Sequence, residues 1–246
     1  MDNGCFGISF GLEYIPGTTK EELIKAGLTE KETLKLPPFV APGFCAGPLC
    51  AKAAEFLLPA LPSLSPDAKV YCGAPDFVAA LTGTNTLVPG ALCDRTGSSE
   101  GLNLCTEKPV YSKNIRTLPS VIPGLWNASF LIPDSGIRFA NYKQKLERMT
   151  GRQNIPYTDL LEEILSDSKC SENETLLEGR NLLNSLLDEL KCALDELLSA
   201  CKDAGCTLPD SFTVTGGQAK NPLLNKLKEE KLGLKLIVPS CADSEL

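Results

Sequence analysis

Between Asn181 and Cys201 the apolar residues fall at helical spacing. Leu183, Leu187, Leu190, Leu194, Leu197 and Cys201 follow at alternating intervals of four and three, the spacing of a coiled-coil seam. Leu182, Leu186, Ala193 and Leu198 widen that seam into a broad stripe, which suits a helix packed into a globular core. Gly205 and Pro209 mark its end. Beyond them Ser211-Phe212-Thr213-Val214-Thr215 reads as a strand that runs into Gly216-Gly217. Asn221 is placed to cap a helix with Pro222 at its first position. Gly233 closes that helix, and Leu234 to Val238 reads as another strand.

The earlier part of the chain is less periodic. Thr19 starts a short helix signal that stops at Gly27, and Leu36 to Gly43 is an extended linker punctuated by Pro and Gly. Gly47-Pro48 is read as opening a helix through Leu58. Lys69-Val70-Tyr71-Cys72 reads as the end of a buried strand, broken by Gly73-Ala74-Pro75. Asp76 then stands at the N-cap position before Phe77-Val78-Ala79-Ala80-Leu81. Further on, Ala91-Leu92-Cys93-Asp94-Arg95 runs into Thr96-Gly97-Ser98-Ser99-Glu100-Gly101. Gly136 precedes a helical run from Phe139 to Arg148. A strand–Asp–helix unit before residue 85 and a strand–Gly-Gly–helix unit after it make an α/β chain in two lobes.

Composition narrows the function classes. The 246 residues are 43% hydrophobic, enough for one large domain or two small ones. A net charge of −7 argues against a nucleic-acid surface. No apolar run approaches a membrane span, and the N-terminus lacks the basic stretch of a secretory signal. The eleven cysteines include no CxxC pair, which argues against zinc and for reduced core thiols of a cytosolic protein. In that setting the triplets Asn127-Ala128-Ser129 and Asn173-Glu174-Thr175 are chance matches to a glycosylation signal. The absence of histidine excludes Ser-His-Asp and Cys-His catalysis within the chain.

Three stretches carry candidate chemistry. A carboxylate at Asp76 would be held by free backbone N–H groups at a helix start, as a functional group or simply as a cap. Glycines and hydroxyls in the turn at residues 96–101 can donate to a phosphate, or form an ordinary hairpin. Gly216-Gly217 lets a flat ligand approach the backbone, because no Cβ stands in the way. It is not a Walker loop, since Lys220 follows Ala219 and no Ser or Thr comes next.

Taken in order, these stretches resemble the FGGY carbohydrate kinases, the family of xylulose, glycerol, ribulose and fuculose kinases. Members carry a strand ending in Gly-x-x-Asp, matched by Gly73 and Asp76. A Gly-Thr-Ser type turn that binds ATP phosphates is matched by Gly97-Ser98-Ser99, with Ser98 replacing Thr. The second hallmark, Gly-Gly-x-x-Lys-Ser/Asn-Pro-Leu, is matched by Gly216, Gly217, Lys220, Asn221, Pro222 and Leu223. Glu178-Gly179-Arg180 is similar to the end of a further family motif that starts a long helix. The chain departs at Leu224, where Trp is frequent, and at Glu229-Glu230, where Ala-Asp is usual. The family's opening Asp-x-Gly-Thr motif, most of its first domain and its final Gly-Ala-Ala helix are absent.

The resemblance implies an actin-like fold of ribonuclease-H-like α/β domains. Residues 1–84 would be a remnant of the N-terminal domain. Residues 85–246 would form the C-terminal, nucleotide-binding domain, truncated at its end. It implies ATP-dependent phosphorylation of a sugar or polyol hydroxyl, with Mg²⁺, in the cytoplasm. Asp76 would be the general base. Gly97, Ser98 and Ser99 would bind nucleotide phosphates, and Gly216, Gly217, Gln218 and Asn221 would line the adenosine pocket. No residue is assigned as a metal ligand. A complementing N-terminal half or a second copy is the expected partner, with no nucleic acid and no membrane. Two other functions stay open: a non-catalytic nucleotide-binding or scaffold fragment of the same ancestry, and a leucine-rich helical interaction protein built on residues 181–201.

Overall fold

The computed structural model describes residues 20–25, 27–35, 44–57, 59, 65, 67–73 and 76–242. The chain divides into two compact units, Met1–Asp76 and Phe77–Leu246.

The first unit contains α1 (Lys20–Lys25), α2 (Glu30–Thr33), β1 (Cys45–Pro48), α3 (Ala51–Leu57) and β2 (Lys69–Tyr71). Gly27 follows α1 with φ of +109°, as a helix-stopping glycine should. Two expectations fail here. Gly47 and Pro48 lie in a strand rather than at a helix start, and the helix begins at Ala51. Their partner is β2, paired antiparallel through Gly47↔Val70 and Pro48↔Lys69. That long-range pairing overrides the local preference of Pro for a first helical turn. The residues of β2 are exposed rather than buried, because a two-stranded sheet covers neither face of its strands. The linker at 36–43 lies outside the described residues.

The second unit is one mixed sheet with helices. Its elements are α4 (Asp76–Gly83), β3 (Leu92–Thr96), β4 (Glu100–Thr106), β5 (Arg116–Pro119), β6 (Trp126–Ile132), α5 (Ser135–Thr150), α6 (Tyr157–Leu165), α7 (Asp167–Glu172), α8 (Glu174–Asp203), β7 (Ser211–Gly216), α9 (Pro222–Leu232) and β8 (Lys235–Ile237). The strand order is β5-β6-β4-β3-β7-β8. β3, β7 and β8 run parallel, whereas β4 is antiparallel to both of its neighbours.

The leucine stripe does what a broad stripe predicts. Leu183, Leu187, Leu190, Leu194, Leu197 and Cys201 are all buried along α8. The later part of the stripe, Leu190 to Cys201, packs on Leu92, Leu102, Leu104 and Phe212 of the sheet. Leu183 and Leu187, with Leu176 before them, pack with Tyr142, Leu146, Leu160, Leu161 and Ile164 of the helices and with Ile155 of the connecting loop in a second cluster. One helix thus joins two hydrophobic cores, and each fully buried leucine contributes roughly 1.5–3 kcal/mol.

Two motif residues find structural roles in this packing. Gly179 lets α8 approach α5, because a Cβ there would lie 2.2 Å from the Tyr142 ring. Asn173 caps α8 by accepting from the backbone N–H groups of Thr175 and Leu176. The described cysteines are free thiols, and Cys93, Cys105, Cys170, Cys201 and Cys206 are buried as expected. Cys45, Cys50, Cys192 and Cys241 are exposed, which the sequence reading did not foresee.

Candidate functional site

The site is built where β3 and β7 end side by side. Leu92 to Thr96 pair in register with Phe212 to Gly216. The Thr96 hydroxyl donates to the Thr215 carbonyl at 2.7 Å and ties the two strand ends together. Gly216 follows with φ of +94°, and a Cβ on it would stand 1.9 Å from the Thr96 carbonyl oxygen. Glycine is therefore required at 216 by the fold itself. Gly217 to Lys220 make one 3₁₀ turn, and α9 begins at Pro222. The Asn221 Oδ1 caps α9 by accepting from the N–H groups of Leu223 and Leu224, both at 3.1 Å.

Gly97-Ser98-Ser99 is the turn of the β3–β4 hairpin, between Thr96 and Glu100. It packs on the N-terminus of α5. The Ser98 carbonyl accepts from Ile137 N–H at 3.1 Å, and Ser99 Oγ accepts from Asp134 N–H at 3.2 Å. Gly136 lies inside the first turn of α5, not before it, since the helix starts at Ser135. A Cβ on Gly136 would stand 2.0 Å from the Gly97 carbonyl oxygen. Ser135 is buried beside this contact, and its hydroxyl has no hydrogen-bond partner.

These turns border a cavity of about 280 Å³. Thr96, Gly97, Ser135, Gly217, Gln218 and Asn221 are part of its lining. Its apolar lining includes Phe139 of α5, Leu161 of α6, and Leu183, Leu187 and Leu190 of α8. Those leucines mark the point where the two cores meet along α8. The cavity therefore offers apolar side chains for a flat ring together with backbone and hydroxyl groups for a polar or anionic group, the usual make-up of a small-molecule site.

Of the residues expected at a site, Gly97, Gly217, Gln218 and Asn221 border this cavity. Gly216 packs on Thr96, and Ser98 and Ser99 turn toward α5. Asp76 is the first residue of α4 rather than the residue preceding it, and its side chain lies outside what is described.

Beside the cavity lies a charged cluster that no local pattern in the sequence singles out. Lys228 is buried between two carboxylates, donating to Asp94 Oδ2 at 2.7 Å and to Glu100 Oε1. Glu100 and Lys228 both border the cavity. Burial pushes the Asp94 carboxyl up to about 7; Lys228 opposes the shift and Glu100 adds to it. Burial works against the Lys228 charge too, yet the two carboxylates hold its pKa above the ordinary range. The trace this cluster leaves in the sequence is Asp94 inside the strand Leu92–Thr96, because a charge in a central strand needs a partner. The Cys93 thiol, on the neighbouring strand position, is pushed up to about 12 by burial and is no nucleophile.

The chain matches no protein-family model and no curated protein. Its fold, however, is shared with solved sugar kinases. It is similar to a xylulose kinase from Brucella ovis at 20% identity and a TM-score of 0.63, over 92% of this chain and 49% of that one. A gluconate kinase from Lactobacillus acidophilus matches at 15% identity and 0.66, over 93% and 49%. A Plasmodium falciparum glycerol kinase, solved with ADP, matches at 14% identity and 0.58, over 83% and 45%. The chain thus has the expected mixed α/β sugar-kinase fold and spans about half the length of these structures.

Proposed function

We propose that this chain is the nucleotide-binding portion of an FGGY-type carbohydrate kinase, serving ATP-dependent phosphorylation of a sugar or polyol hydroxyl. The observation that carries the reading is that one cavity is bordered both by Gly97 on one strand end and by Gly217, Gln218 and Asn221 beyond the next. It lies in a fold shared with xylulose, gluconate and glycerol kinases. The adenine ring lies against the leucine wall and the Gly217 backbone, and the phosphates extend toward the Gly97 turn. In this reading residues 1–84 belong to the first kinase domain and residues 85–246 to the second. A complementing half or a second copy completes the sugar site, and the protein is cytoplasmic.

The chemistry is an in-line transfer. A sugar hydroxyl is a poor nucleophile at neutral pH, so a carboxylate must orient it and take its proton. That role falls to Asp76. As the sugar oxygen bonds to the γ-phosphorus, the bond from that phosphorus to the ADP oxygen breaks, and the hydroxyl proton passes to Asp76. Mg²⁺ supplies neutralisation of the phosphate charge when bound. The described residues hold no cluster of three or more metal-ligating side chains, and Asp94 and Glu100 are both bonded to Lys228. A divalent ion would therefore be held by the nucleotide's own phosphates and by water.

Calorimetric titration with MgATP tests the binding half of this reading, and the absence of any binding would sink it. Reconstitution with a complementing first domain tests the chemistry. Asp76→Asn should then lower the sugar phosphorylation rate by ~10²–10⁴-fold with MgATP affinity unchanged. Full activity in that variant would leave Asp76 with only a helix-terminal role.

A further inference from the structure

Three charged side chains are buried together under the cavity: Asp94 of β3, Glu100 of β4 and Lys228 of α9. Such a cluster is a weak source of stability, because desolvating the charges costs about as much as their attraction returns. It also stands at a particular place. Glu100 directly follows the Gly97-Ser98-Ser99 turn, and Lys228 lies on the helix that Asn221 caps. An ammonium has three N–H donors, and the two carboxylates take two of them. Two carboxylates against one ammonium leave the cluster with an excess negative charge beside a cavity whose other polar groups suit an anion. The other charge-bearing neighbour on β3, Arg95, falls on the opposite face by strand alternation. β7 places the uncharged Val214 beside Asp94.

We infer that Lys228 is the cationic contact of this cavity, donating its third N–H to a phosphate oxygen of the bound nucleotide, and that Asp94 takes up a proton as that anion enters. The inference rests on the nucleotide reading above. Its logic is charge balance in a dry site. An arriving phosphate adds negative charge next to two buried carboxylates, and a proton on one of them relieves the repulsion. Asp94 is the group that yields. It is fully buried, its Oδ1 receives no hydrogen bond, and burial already pushes it up to about 7. The proton comes from solvent and returns when the ligand leaves. Lys228 keeps its charge throughout, because both carboxylates stabilise it.

The test is calorimetry of the whole chain at pH 7.5 in buffers of different ionisation enthalpy, which reads protons exchanged per ligand bound. With MgATP the wild-type chain should take up roughly half a proton, and with adenosine none. Asp94→Asn keeps an oxygen for Lys228 and should bind MgATP without that uptake. Lys228→Met should weaken MgATP by tenfold or more and leave adenosine affinity unchanged, whereas a purely structural Lys228 would weaken both. If Lys228→Met fails to fold by circular dichroism, the wild-type comparison of MgATP with adenosine decides alone. MgATP binding with no uptake, or with the same uptake in Asp94→Asn, would overturn this inference and leave the nucleotide reading standing. No binding of MgATP to the wild-type chain would overturn both.

Discussion

Gly216 and Gly217 are adjacent and chemically identical, yet the structure uses them for opposite purposes. Gly216 is enclosed: its φ is positive and the Thr96 carbonyl occupies the space of a Cβ. Gly217 is open: its φ lies outside the left-handed region, no atom stands within 4 Å of a Cβ built on it, and it borders the cavity. The first glycine closes the strand ends on each other. The second leaves the backbone bare where a ligand can approach. The same division separates Gly136, pressed on the Gly97 carbonyl, from Gly97, whose own Cβ would meet only Ser99 O at 3.7 Å. A glycine pair read in a sequence as one ligand motif is thus one packing element and one approach surface.

Substitutions can break this division, beginning with the largest expected effect. Gly216→Ala should cost about 3 kcal/mol or more, from backbone strain added to the clash with Thr96. Urea denaturation would measure it, and a loss under 1 kcal/mol would show that the strand ends can separate to admit a methyl group.

The next effect belongs to the charged cluster beside Thr96. The folded-state pKa of Asp94 lies above its unfolded value, so the folded chain holds the proton more tightly. This contribution to stability is fully present below about pH 4 and is lost as pH rises through about 7. The slope for one proton is at most about 1.4 kcal/mol per pH unit. Asp94→Asn should flatten the stability profile between pH 5 and 7, and an unchanged profile would place the titration elsewhere.

Asn221→Ala should cost about 1 kcal/mol through loss of the α9 cap, and MgATP affinity should fall as well. Asn221→Asp keeps the capping oxygen, so stability should return while affinity does not. Recovery of both would reduce Asn221 to a cap. The smallest effect on stability is expected at Gly217→Val, within about 0.5 kcal/mol, because the added side chain enters open space. Its MgATP affinity should nevertheless fall at least tenfold, and unchanged affinity in the folded variant would reject Gly217 as the approach surface.

Local signals in the sequence determined the elements whose physics is local. The α8 stripe, the Asn221-Pro222 helix start, the Gly233 stop and the Gly97 hairpin are visible because each depends on residues a few positions apart. Four residues of the candidate site could be named for the same reason: Gly97, Gly217, Gln218 and Asn221 lie in turns with a recognisable make-up. Only the tertiary structure decided the rest. Gly47 and Pro48 joined a strand by pairing with residues more than twenty positions away, where local preference favoured a helix start. Gly216 and Gly217 parted roles because of a carbonyl on another strand. Lys228 is bonded to Asp94 across 134 positions of sequence and to Glu100 across 128. On α9 alone, Lys228 reads as one more solvated lysine among Lys226, Glu229, Glu230 and Lys231. Its burial between two carboxylates is a property of how the helix lies on the sheet, and no spacing along the chain encodes it.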